Sequence, residues 1–119
     1  MEGMASVEEC RAAIAKVSDR IMEVDEDRRR KHIVDRTVSV TASDLDTVFD
    51  MRLAMQGLVD VTERRAGDPA ERAQVRLTAS SDTLVDLAED RLDFAKALLS
   101  GRVKLDASFG DMMRLRKLL

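Results

Sequence analysis

Apolar residues near the start of the chain fall at Val7, Cys10, Ile14, Val17, Ile21 and Val24, with gaps alternating between three and four. All six share one stripe of an α-helix. Ser6-Val7-Glu8-Glu9 precedes it as a capping box, in which the Ser and Glu side chains satisfy opposite orphan amides. The helix is expected to fade between Glu23 and Lys31, where acidic residues give way to Arg28-Arg29-Arg30-Lys31. From Arg36 the period changes to two. Val38, Val40 and Ala42 alternate with Thr37, Ser39 and Thr41, the pattern of a half-buried strand. Asp44-Leu45-Asp46 turns the chain. A second strand then sets Phe49, Met51, Leu53 and Met55 on one face and Asp50 and Arg52 on the other. Gln56-Gly57 offers a tight turn, because Gly accepts positive φ at little cost. Leu58 to Thr62 reads as a third strand with Val59 and Val61 facing alike.

Arg65 to Arg72 contains Gly67, Asp68 and the one proline, Pro69, and reads as a loop. Val75, Leu77 and Ala79 define a fourth strand. A helix with Leu84, Val85 and Leu87 follows, then a second helix ending at Leu98-Leu99-Ser100-Gly101. Val103, Leu105 and Ala107 form a fifth strand, and a final apolar helix closes the chain. Alternation in every strand leaves one sheet face wet and one covered, and the helices supply the cover. The expected fold is α+β in two layers: a five-stranded, mostly antiparallel sheet with helices on one face. The predicted order is an opening helix, a four-strand antiparallel meander, two helices, a fifth strand and a closing helix. No internal repeat or linker divides the chain, so 1–119 is read as one domain.

The stretch Ala73 to Leu119 resembles the C-terminal half of the sterol carrier protein type 2 domain, a lipid-binding fold. The resemblance rests on the Ser81-Asp82 helix entry and on Ser100-Gly101-Arg102-Val103-Lys104-Leu105. In that passage Gly101 ends a helix in a left-handed conformation, and basic and apolar residues alternate along the outgoing strand. Residues 6 to 72 match in the order of elements more than in wording, and standalone bacterial members are the most similar. Two departures stand out. The ending Lys117-Leu118-Leu119 differs from the Ser-Lys-Leu peroxisomal signal of some members. The helix entry Arg91-Leu92-Asp93-Phe94-Ala95 lacks the glycine-containing turn frequent in relatives.

The resemblance implies a ligand held between the covered sheet face and the C-terminal helices. The implied walls are Phe49, Met51, Leu53 and Met55 from the sheet, Leu84, Leu87, Phe94, Leu98 and Leu99 from the facing helices, and Phe109, Met112, Met113, Leu115 and Leu119 from the closing helix. Met is flexible and polarizable, which suits a wall that repacks around variable ligands. The same stripes also read as ordinary core. In the closing helix Asp111, Arg114 and Lys117 share a polar face, whereas Arg116 falls inside the apolar arc. Arg116 is then either a cation that meets a ligand head group or a long side chain snorkelling near a helix C-terminus.

Composition narrows the function classes. The chain has 119 residues, 36% charged and 45% hydrophobic, with a formal net charge of -3. One core with a modest pocket fits this length, and the acidic balance argues against nucleic acid. No apolar run approaches the ~18 residues of a membrane span, and no secretory signal is visible. The single cysteine cannot form an internal disulfide, which points to a reducing, cytoplasmic compartment. Cys10 lies on the apolar stripe and reads as a buried structural thiol, and His32 beside Arg30 and Lys31 as a surface residue. No zinc set, phosphate-cradling loop or nucleophile elbow is present, so neither a metal nor a cofactor is expected. The expected function is therefore non-catalytic binding and transfer or presentation of an apolar ligand: a fatty acid, acyl chain or sterol. The alternatives are an enzyme acting on an apolar metabolite and a ligand-free interaction module. The first helix supports the latter, since its stripe follows the heptad a/d rule of a helix-mediated homodimer. The Arg28 to Lys31 cluster offers a transient contact with anionic lipid head groups, or is simply a solvated segment.

Overall fold

The computed structural model describes residues 4–118. Helix α1 spans Val7–Glu23, α2 Glu26–His32, and strands β1 and β2 Arg36–Ala42 and Thr47–Ala54. Strands β3 (Gly57–Arg65) and β4 (Val75–Ala79) follow, then α3 (Ser81–Ala88), α4 (Phe94–Ser100), β5 (Val103–Asp106) and α5 (Phe109–Leu118). The five strands form one mixed, mostly antiparallel sheet in the order β3-β2-β1-β4-β5. Together with the five helices they make an α+β fold.

The predicted capping box opens α1. The Glu9 amide donates to Ser6 Oγ at 3.1 Å, and the Ser6 amide donates to Glu9 Oε1 at 3.1 Å. Helix α1 ends at Glu23, but the basic run does not fade into coil. Asp25 accepts from the Arg28 amide at 3.1 Å and starts α2. Its acids lie in the first turn and its bases in the last, the polarity that a helix dipole favours. The cluster is largely engaged within the chain. Arg29 donates to the Val24 and Met55 carbonyls at 2.9 Å each, Arg28 to the Lys117 carbonyl at 3.1 Å, and Arg30 pairs with Glu26.

The predicted four-strand meander stops at three. Strand β4 does not pair with β3; it lies parallel to β1 on the opposite side. A two-residue turn carries β2 into β3, whereas the longer loop after Arg65 carries the chain across the sheet. A parallel neighbour requires such a crossover. Within β3, Asp60 adopts φ 56° and the register with β2 shifts between Asp50 and Arg52. The extra residue forms a β-bulge and breaks the alternation. Val61 packs toward the core with Leu58, whereas Val59 stands opposite exposed Arg52, so Val59 and Val61 do not face alike.

The turn into β3 is locked onto α1. Gly57 has φ +97°, and a Cβ there would lie 2.5 Å from Ser18 Oγ. The Leu58 amide donates to that same oxygen at 3.0 Å. Only glycine satisfies both the left-handed backbone and the close approach. On the covered face Val38 faces Met51 and Val75, and Val40 faces Phe49 and Leu77. The other face carries ion pairs, including Arg64–Asp50 at 2.6 Å and Arg76–Asp106 at 2.5 Å.

Candidate functional site

The covered face does not close fully against the helices. A cavity of about 380 Å³ lies between them. Its floor is Val38, Val40, Met51, Leu53, Leu58, Val75, Leu77 and Leu105. Its roof is Ala13, Ile14, Val17 and Ile21 of α1 with Leu84 and Leu87 of α3, and Leu92, Phe94 and Leu115 complete the wall. The roof follows from the α1 stripe. Positions 14, 17 and 21 face inward with the adjacent Ala13, and α1 packs against α3 and β3.

Three polar side chains reach the cavity: Arg20, Asp90 and Asp93. Arg20 donates to the Ala88 carbonyl at 2.7 Å and pairs with Asp90 at 3.3 Å. The Asp90 side chain is 79% exposed, so this edge is the rim that meets water. Asp90 has φ 59° in the bend between α3 and α4. Asp93 caps α4 by accepting from the Lys96 amide at 3.2 Å.

Helix α5 is held in place by Asp111, which is buried and sits 3.0 Å from Arg36 and 2.8 Å from Arg114. Burial opposes its ionisation. The bonds from Arg114, Arg36 and Ser108 outweigh that and keep its carboxyl below the usual carboxylate range. At the entry to α3, Asp44 accepts from the Ser81 amide at 2.7 Å and hydroxyl at 2.6 Å. Burial works against the charge there too, but the Ser81 bonds prevail and its pKa is lowered. Cys10 is fully buried. Burial, with smaller contributions from Asp44, Glu9 and Asp82, pushes its thiol up to about 11, so the thiolate nucleophile is scarce at neutral pH. Among the described residues no group of His, Cys, Asp and Glu is arranged to hold a metal, and no helix is long and apolar enough to cross a membrane.

The sequence profile described as "SCP-2 sterol transfer family" matches residues 10–119. The chain belongs to that family. Comparison with curated proteins gave no match. Among solved structures, the chain is similar to the sterol carrier protein domain 2 of Helicoverpa armigera, with TM-score 0.63 and 18% identity over 98% of this chain and 91% of that one. It is also similar to palmitated SCP2L2 from Aedes aegypti, with TM-score 0.62 and 16% identity over 95% and 92% of the two chains. These two likenesses speak to the fold. At 27% identity and TM-score 0.58, 87% of the chain matches the stereoselective inverting sec-alkylsulfatase Pisa1 from a Pseudomonas species. It spans only 15% of that enzyme's length.

The walls implied by the sterol carrier resemblance divide into several groups. Met51, Leu53, Leu84, Leu87, Phe94 and Leu115 lie in the cavity lining. Phe49 is fully buried in the core and Met55 sits half-buried in the β2–β3 turn, both outside the lining. Leu98, Leu99, Phe109 and Met112 are exposed, and Met113 is half-buried away from the lining. Leu119 lies outside the described residues. Arg116 is exposed and outside the lining. The anchoring of Asp111 explains this. Asp111 and Leu115, four apart, face inward, so the arc of Phe109, Met112 and Arg116 turns outward. Asp111 is correspondingly not part of a wet polar face. The implied walls do not include the helix α1 roof or Arg20, which also line the cavity. The signal for the roof was the 14-17-21 stripe, read as packing or dimerisation. Arg20 carried none, since it sits beside that stripe among other charged residues.

Proposed function

We propose that this chain takes up a single apolar chain, such as a fatty acid or acyl group, and transfers or presents it without transforming it. The cavity carries this reading. At about 380 Å³ it falls within the ~300–1,000 Å³ of ordinary small-molecule sites, and its lining is mostly aliphatic. A dry apolar cavity of ~150 Å³ holds the six carbons of benzene, so this one has room for roughly fifteen. That suits an acyl chain. A sterol carries many more carbons and would require the layers to part. Membership of the sterol transfer family supports a lipid ligand, and the palmitated Aedes aegypti relative supports the acyl class.

Binding would be driven by burial of apolar surface, at about 25 cal/mol per Å². Arg20 is the side chain suited to a head group. Its present partner Asp90 is largely exposed, and such surface pairs contribute little, so a ligand carboxylate can replace it. A single buried thiol suits work in the cytoplasm. The test is a lipid extract of the purified protein read by mass spectrometry, paired with displacement of a fluorescent fatty acid. Co-purified acyl lipid and displacement by fatty acids are expected. No bound lipid and no displacement across acyl chains and sterols would overturn the reading. Turnover of an extracted metabolite would replace it with an enzymatic one.

A further inference from the structure

The end of α4 exposes what a folded chain normally covers. Leu99 is 89% exposed and Leu98 is 36% exposed. Gly101 ends the helix with φ +80°, and a Cβ there would meet nothing within 4 Å, so the tip stands clear of the body. The charge around it is one-sided. Residues 94 to 105 contain Lys96, Arg102 and Lys104 and no acid, in a chain whose net charge is -3. All three cations are exposed; Arg102 also donates to Thr83 Oγ1 at 3.2 Å and sits 3.6 Å from Asp86. Lys96 lies beside Leu99 on the outward side of α4, while Ala97 of the same helix is fully buried. An apolar side chain at the apex of a basic collar matches the layering of an anionic bilayer surface: cations at the phosphates, leucine among the first methylenes. The other end of the same helix, at Asp93 and Phe94, lines the cavity. Seven residues of helix separate the two, about 10 Å.

We propose that the α4–β5 tip, Leu98 and Leu99 with Lys96, Arg102 and Lys104, docks the protein on an anionic membrane surface. This goes beyond the ligand reading and gives it a direction, since the docked tip sets the cavity rim one short helix away from the lipid source. The basic cluster at residues 28–31 is a poorer candidate, because its three arginines are all engaged with partners in the chain, whereas at the tip only Arg102 is so engaged among the described residues.

The chain has no tryptophan, so Leu99→Trp creates a unique fluorophore at the tip. The full-length variant is titrated with phosphatidylcholine vesicles, with and without phosphatidylglycerol, beside Phe109→Trp on the outward side of α5. A blue shift at position 99 on the anionic vesicles, reversed by salt and absent at position 109, is expected. In co-sedimentation with the anionic vesicles, Leu99→Ser should lower partitioning at least about tenfold. Lys96→Gln should lower it about fivefold. Neither change should alter fluorescent fatty-acid binding, which separates failure of the docking surface from failure of the ligand reading. Leu99 is so exposed that these variants should fold, and circular dichroism checks that. An unchanged emission spectrum of the Leu99→Trp variant overturns the proposal, as does a shift at position 109 instead. An equal shift on neutral vesicles overturns the assignment to anionic surfaces. A concentration-dependent shift without vesicles would assign the tip to a second copy of the chain instead.

Discussion

Filling the cavity from its roof should stabilise the protein while shortening the ligand it accepts. Ala13 lines the cavity from α1 and is 6% exposed. Ala13→Phe adds a benzene-sized ring, which occupies ~150 Å³ in an apolar cavity. About 380 Å³ would fall to about 230 Å³, room for roughly nine carbons in place of fifteen. The ligand-free protein responds oppositely. A buried phenyl group contributes ~1.5–3 kcal/mol. Helix propensity takes back ~0.5 kcal/mol and local crowding about 1. The balance is a gain of about 1 kcal/mol, or a rise in Tm of roughly 4 °C at this size.

Two measurements check the pair of effects. Urea unfolding of delipidated protein should show a higher midpoint with an unchanged slope. Displacement by a series of saturated fatty acids should move the optimum from about fifteen carbons to about nine. A gain in stability with an unchanged optimum would mean that the ring fills a void the ligand never uses. A loss of more than about 2 kcal/mol would mean that the layers are already in contact and the space is not there to fill.

Arg20→Leu should weaken binding of a fatty acid about tenfold while sparing its methyl ester, the expected loss of one charge-assisted hydrogen bond; equal effects on both would remove the head-group role. Gly57→Ala should cost about 1–3 kcal/mol in urea unfolding, because its left-handed backbone and the Ser18 contact both exclude a Cβ. Adding Ser18→Ala should recover only part of that loss, and full recovery would refute the backbone argument. Asp111→Asn should lower stability by about 2 kcal/mol at neutral pH by weakening the Arg36 and Arg114 bonds. The folded pKa of Asp111 lies below its unfolded value, so its contribution is complete above the ordinary carboxylate range and is lost as pH falls through the folded pKa. The Asn variant should therefore have the flatter acid limb, and parallel acid limbs would show that Asp111 is not the group responsible.

Local chemistry was readable from the residues and long-range partnering was not. The Ser6–Glu9 box and the Gly101 cap, with φ +80°, depend on neighbours a few positions away, and both formed as read. The alternation of β1 gave its faces, since Val38, Val40 and Ala42 are all on the covered side. The bulge escaped because it depends on Asp60 taking a left-handed conformation, which Asp tolerates but does not announce. The place of β4 escaped because alternation describes faces and says nothing of neighbours. The length of the loop after Arg65 was a usable hint, being far longer than the hairpin turn before β3. Helix α5 was misjudged in rotation. The family resemblance implies an inward apolar arc, whereas burying the Asp111 carboxylate against Arg36 of β1 turns that arc outward.

The cavity itself has a cause in the sequence that periodicity does not register. A packed core sets large side chains against small ones across facing layers. On β2, near the sheet's β3 side, Phe49 supplies bulk and is fully buried. The inner strands β1 and β4 offer three valines, Val38, Val40 and Val75, beside Leu77, and the roof above the cavity includes Ala13. Valines in part of the floor and an alanine in the roof contribute little volume, and the two layers enclose space that their own atoms do not fill. Helix α1 cannot readily settle to close it. Ser18 is bonded to the Leu58 amide beside Gly57, and Arg20 is bonded to the Ala88 carbonyl, so the helix is held to β3 on one side and to the end of α3 on the other. A hydrophobic stripe of ordinary period can thus roof a cavity when two polar ties hold it above a sheet whose inner strands carry valines.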